Sequence, residues 1–210
     1  MGSSPIRPTL TICLLTPSGR QAPIIASPRI RSVTDERDDE RIVAGIRDVL
    51  TRAVDRLGTA GPRDEALATF VAPRRVLLFT KDAVMVPVSR VWRLGVFLLD
   101  RDGTFYETGL TTRAVEPGYP GYQALSTESR RGYRAAAFKG RFARGETVNF
   151  DAAVVDLDPG SLRSSSGRLF LRGDRPLVRW NASATDDTAI AFDAYVADRV
   201  TLLLQPPEGA

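Results

Sequence analysis

Between Val76 and Thr112 the chain carries four β-rich segments, Val76–Thr80, Val84–Val88, Val91–Leu99 and Thr104–Thr112, joined by turns too short to hold a helix. Parallel neighbours need a crossover of about a dozen residues or more, so these segments are expected to pair antiparallel. In Val91–Leu99, Trp92, Leu94, Val96 and Leu98 alternate with Val91, Arg93, Gly95, Phe97 and Leu99. Both faces are apolar, which predicts a strand covered on both sides in the sheet interior. Asp100-Arg101-Asp102-Gly103 reads as the hairpin turn that sends the chain back. Asp-x-Asp-Gly also opens calcium loops, but the third acidic position and the closing glutamate of an EF-hand are missing.

Helical periodicity flanks this region. Ile42, Ile46, Val49, Ala53 and Leu57 recur at helical spacing, with Val43, Leu50 and Val54 on a flanking row. Thr34 is suited to cap that helix, Asp35, Glu36, Asp38 and Asp39 favour its positive end, and Gly58 is expected to close it. The run Asp35–Glu40 is therefore read as a solvated helix start rather than a cation site, which would need oxygen ligands converging from a loop. A second helix is expected from Pro62 to Val71, with Asp64 and Glu65 in its first turn. A third runs from a Ser126 or Thr127 cap to about Lys139, after an ordered Gly, Pro and Tyr-rich loop over 113–125. The last puts Phe192, Tyr195, Val196, Val200, Leu203 and Leu204 on one face, capped by Asp193 and ended by Pro206-Pro207.

Further strands are expected at Val148–Leu157 and at Gly167–Trp180, the latter folded at Gly173-Asp174. Two more, Leu10–Leu15 and Pro23–Ala26, flank the turn Thr16-Pro17-Ser18-Gly19, and Ser164-Ser165-Ser166 reads as a loop. The expectation is an α+β fold: a single domain over residues 9–205 with a largely antiparallel sheet flanked by about four helices. It is preceded by a disordered N-terminus at 1–8 and followed by a C-terminal tail at 206–210.

Composition narrows the chemistry. There is no histidine, and Cys13, inside the apolar run Leu10–Leu15, is the only cysteine. Imidazole-based triads and dyads and zinc or non-haem iron sites cannot be built, and no internal disulfide is possible. Neither a metal nor an organic cofactor is expected, and Cys13 reads as a buried, inert thiol. No run approaches the ~20 apolar residues that span a bilayer, so no membrane partner and a cytoplasmic location are expected. Of 29 cationic residues only Lys81 and Lys139 are lysines, an arginine skew that suggests a GC-rich genome. The net charge of +4 is modest for 210 residues.

Cationic residues concentrate at Arg130, Arg131, Arg134, Lys139, Arg141 and Arg144. Arg130, Arg134 and Arg141 share a helical face, and Tyr133, Phe138 and Phe142 interleave rings among them. Cations beside rings able to stack on bases suit single-stranded nucleic acid or another anion. The same string is also that of an amphipathic helix, its arginines in water and Tyr133, Ala136, Ala137 and Phe138 inward. For catalysis Glu107, Glu116, Asp156, Asp158, Asp186 and Asp187 are available, but linear spacing pairs no two of them across a cleft. Gly-x-Ser-x-Gly, Ser-x-x-Lys, Walker and Gly-x-Gly-x-x-Gly motifs are absent.

Val91-Trp92-Arg93-Leu94-Gly95, Thr112-Arg113-Ala114 and Arg144-Gly145-Glu146-Thr147-Val148-Asn149 together resemble a family of small uncharacterised actinobacterial proteins, some labelled glutaminase. The resemblance covers the C-terminal half and contains no catalytic motif. The Ser-x-x-Lys nucleophile of serine-dependent glutaminases is absent, and the Cys–His pair of class I amidotransferases needs a histidine. Three readings follow. The first is a non-catalytic cytoplasmic binding or self-association domain, with a homodimer as its simplest assembly. The second is single-stranded nucleic-acid or anion binding through the Arg130–Arg144 segment, and the third a histidine-independent hydrolase.

Overall fold

The computed structural model describes residues 33–76, 79–117, 125–181 and 183–207. The expectations for the 1–8 terminus, the strands at 10–15 and 23–26, Cys13, and the Thr34 and Asp35 side chains lie outside the described residues. So do most of the 113–125 loop and the Ser126 and Thr127 side chains, although the helix itself already begins at Leu125.

The fold is α+β. Four helices surround a mostly antiparallel sheet of seven strands, with a three-stranded sheet and a two-stranded hairpin beside it. None of the described helices is long and apolar enough to cross a membrane. Helix α1 spans Val33–Ala60 and buries Ile46, Ala53 and Leu57 of the row read from its periodicity with Val43 and Leu50 of the flanking row, while Ile42, Val49 and Val54 are partly buried. It outruns Gly58 and ends at Gly61, whose φ of +63° and amide bond to the Leu57 carbonyl close the last turn. The acidic start is not wholly solvated, because Asp39 is buried and paired with Arg163.

The expected helix at Pro62–Val71 is instead strand β1, Glu65–Val71. Tertiary pairing overrides its local helix signals: β1 lies antiparallel to β4, Val84–Leu94, and parallel to β8, Thr147–Phe150. Ala66 and Ala68 face one side and Leu67 the other, a period of two. Between β1 and β4, the single strand expected at Val76–Thr80 is a hairpin, β2 at Arg74–Val76 with β3 at Phe79–Lys81. Val91–Leu99 is likewise not one strand. The chain turns at Gly95-Val96, with Gly95 at φ +66°, and returns as β5, Phe97–Asp100.

The Asp100–Gly103 turn forms as expected and leads to β6, Phe105–Glu107, and β7, Leu110–Arg113. These two pair with β9, Ala153–Val154, and with β8 in one continuous register: Tyr106 opposite Val154, Glu107 opposite Ala153, Leu110 opposite Phe150, Arg113 opposite Thr147. Since β6 also pairs with β5, and β8 with β1, the sheet closes on itself as a small barrel. Leu67, Val91 and Leu98 fill its interior.

Outside the barrel, Trp92, Leu94, Phe97, Leu99 and Phe105 pack against α1 and against α4, Phe192–Leu204. Asp193 stands in the first turn of α4, and Ala191 is its cap. The same core takes in α3, Pro159–Ser164, which Asp158 caps by accepting the Ser161 amide (2.8 Å). It also includes the hairpin β10, Leu169–Arg172, with β11, Arg175–Val178, turning at Gly173 as expected. A short strand β12, Ile190–Ala191, joins β11 just before α4. A separate outer cluster, built on Ala66, Ala68, Met85, Val148 and Phe150, holds helix α2, Leu125–Lys139, against the barrel.

Candidate anion-binding groove

Helix α2 lies close to the barrel because the residues it buries, Ala136 and Ala137, are small. That placement divides the six cations read from the sequence. Arg131 pairs with Glu128 within the helix (3.3 Å), and Lys139 ties the helix end to Asp82 (2.5 Å). Arg141 and Arg144 are exposed beyond the helix, so the shared face expected for Arg130, Arg134 and Arg141 is broken where α2 ends at Lys139. Only Arg130 and Arg134, one turn apart, line a groove of about 440 Å3.

The opposite wall of that groove comes from β7. Thr111, Thr112 and Arg113 all line it, as does Val115 just beyond the strand. Successive strand residues point to opposite faces, so three consecutive residues line one groove where it passes round the strand, and Thr147 of β8, opposite Arg113, lines it from the paired side. The other edge of β7 is open among the described residues: β6 pairs with both β5 and β9, whereas β7 pairs with β8 alone. The turn at Gly95-Val96 stops β5 short, its last link being the Thr108 amide to the Val96 carbonyl (3.0 Å).

Arg113, Arg130 and Arg134 form no ion pair among the described residues, and all three are exposed. Sequence reading found two of these guanidiniums but missed Arg113, because only the fold brings β7 beside α2. Of the three rings expected to stack, Tyr133 lines the groove, held there by its neighbours. Tyr133 packs edge-on against Phe70 (5.3 Å) and tilted on Phe150 (4.8 Å), and Phe142 joins the same cluster. Phe138, expected inward, is the ring left exposed.

Behind the groove lies a polar network that sequence reading did not find. Asn149, almost fully buried, donates to Glu65 (2.7 Å) and to the Ala66 carbonyl (3.2 Å), and it accepts from Thr111 (3.1 Å) and Arg93. Arg93 also donates to Glu65 (3.1 Å) and to the Thr111 hydroxyl (3.0 Å). Its groups satisfy one another, which fits a support that fixes β7 and β8 rather than a reaction centre.

The carboxylates considered for catalysis are dispersed. Glu107 accepts the Arg168 amide, Asp156 the Ser161 hydroxyl (2.6 Å), and Asp158 caps α3. Asp186 pairs with Arg179 (2.7 Å) and Asp187 with Arg172 (3.5 Å), while Glu116 is exposed. No group of three potential metal ligands converges among the described residues. Comparison of the chain with protein-family models, curated proteins and solved structures returned no match.

Proposed function

We propose that this chain is a non-catalytic binding domain whose groove between α2 and the open edge of β7 holds an anionic ligand. One observation carries the reading: three arginines from two elements line one groove and none forms an ion pair among the described residues. Guanidinium is planar and always charged, and it matches carboxylate and phosphate oxygens two at a time. Thr112 and Thr147 add hydroxyl donors to the same walls. An extended nucleic-acid strand is less well served, because Phe142 packs against the outer cluster and only Tyr133 of the three expected rings lines the groove. A hydrolase is also less well served, because the Thr111 hydroxyl is engaged by Arg93 and Asn149 and has no base beside it. The reading takes the domain as cytoplasmic and free of cofactor.

Calorimetric titration with inorganic pyrophosphate at about 50 mM salt tests it, since screening of exposed charges is weak there. One binding site is expected, weakened by added salt and lost when Arg130 and Arg134 are both changed to Ala. Absence of binding, or binding that ignores those changes, rejects it.

Self-association is a second reading, favoured by Val86 and Val88 of β4, which are 46% and 59% exposed, and by Phe79 at 79%. The C-terminal helix turns Phe192, Tyr195, Val196 and Val200 inward. Light scattering across a dilution series decides it: a dimer is expected, and a monomer at every concentration removes it.

A further inference from the structure

Resting on the anion-groove reading, we infer that the ligand is an acidic peptide segment of a partner protein, bound as an added strand along the open edge of β7. A strand edge presents amide and carbonyl groups that another extended backbone satisfies. The Ala114 amide donates to the Glu146 carbonyl (2.9 Å), so Ala114 faces β8. Alternation along the strand turns Thr112 and Leu110 the same way and points the Thr111 and Arg113 backbone groups away from β8; the Arg113 carbonyl is taken by the Val115 amide (2.9 Å), which leaves the Arg113 amide and both Thr111 groups for an added strand.

The groove therefore offers two kinds of recognition at once: main-chain groups along its floor, and Arg113 with Arg130 and Arg134 on its two sides. An extended peptide with acidic residues uses both. A free phosphate uses only the cations, and a nucleic-acid strand has no backbone to match a sheet edge.

The test uses the full chain and a short fluorescein-labelled peptide of alternating Thr and Glu, read by anisotropy at low salt. Two further versions carry N-methyl groups, one on every Thr amide and one on every Glu amide. Successive amides of an extended strand point to opposite edges, so only one set faces β7. The unmodified peptide is expected to bind, with one methylated version about tenfold weaker or more and the other nearly unchanged. The Arg130→Ala, Arg134→Ala double variant is expected to lose peptide binding while melting as the parent does.

Equal affinity for all three peptides overturns strand addition and leaves the anion groove standing. A Thr–Lys peptide that binds as well, or an oligothymidylate that competes more tightly than the peptide, overturns the acidic-peptide assignment. Binding of pyrophosphate without binding of any peptide also overturns it, whereas failure of both ligands rejects the underlying anion reading itself.

Discussion

The hydroxyl of Tyr195 occupies the space beside Gly95 in which a side chain would have to stand. It accepts the Val96 amide (2.8 Å) and donates to the Leu94 carbonyl (3.0 Å), locking α4 onto the β4–β5 turn. A Cβ on Gly95 would lie 2.2 Å from that oxygen, in a backbone conformation with φ at +66°.

Gly95→Ala therefore combines an unfavourable conformation with a clash, and Tyr195→Phe strands two backbone groups at a buried position. Each is expected to cost about 1–3 kcal/mol, read as a lowered melting temperature. The double variant tests coupling: relief of the clash by the smaller ring should make its loss less than the sum of the singles.

Burial pushes the Tyr195 phenol above its ordinary value near 10, and burial with the neighbouring Asp100 carboxylate does the same for Tyr106. A raised folded-state value means that the native protein holds the proton longer than the unfolded chain. Stability from these two groups is complete below about pH 10 and falls as pH rises beyond it. Denaturant midpoints measured from pH 8 to 11 should decline above that point, less steeply in Tyr195→Phe.

The acid limb should involve Asp64, whose carboxyl is held below the usual range chiefly by its hydrogen bond to Arg90, with Arg101 assisting against the effect of burial. A depressed folded-state value gives stability that is present above the unfolded value of about 3.8 and lost as pH falls through the folded one. Arg90 and Arg101 are 42% and 62% exposed, so screening limits the effect to about 1 kcal/mol or less. Asp64→Asn should flatten the dependence of the denaturant midpoint between pH 5 and pH 2.

Leu98 is wholly buried in the barrel, and Leu98→Asp should abolish cooperative melting, since an unpaired buried charge exceeds the margin of a small domain. Val96, which shared the same two-faced pattern in the sequence, sits in the turn and is only partly buried, so Val96→Asp should be milder. Equal loss from both would contradict the turn at Gly95-Val96.

Arg113, Arg130 and Arg134 support no other described group, so changing each to Ala should move stability by no more than about 0.5 kcal/mol. Asn149→Ala, in contrast, removes the partner of Glu65, Arg93 and Thr111 and should cost about 1–3 kcal/mol. Urea unfolding of the two sets separates groove from scaffold.

Sequence alone determined the features written in neighbouring residues. The apolar stripe of α1, the extent of α2 to Lys139, the inward face of α4 and the turns at Asp100–Gly103 and Gly173-Asp174 all depend on spacings of a few residues. The absence of histidine likewise excluded whole classes of chemistry. Tertiary structure decided what depends on distant partners. Glu65–Val71 became a strand because β4 and β8 flank it, and Val91–Leu99 folded back where Tyr195 meets Gly95. The barrel closed because 105–113 aligns with 147–154 across an intervening helix. The groove followed the same rule: Arg130 and Arg134 were visible as charges, but their lack of an ion pair among the described residues and their sharing a groove with Arg113 depend on where α2 meets β7. Periodicity records which face of an element is apolar, whereas pairing and register are settled by the free energy of contacts between segments far apart in the chain.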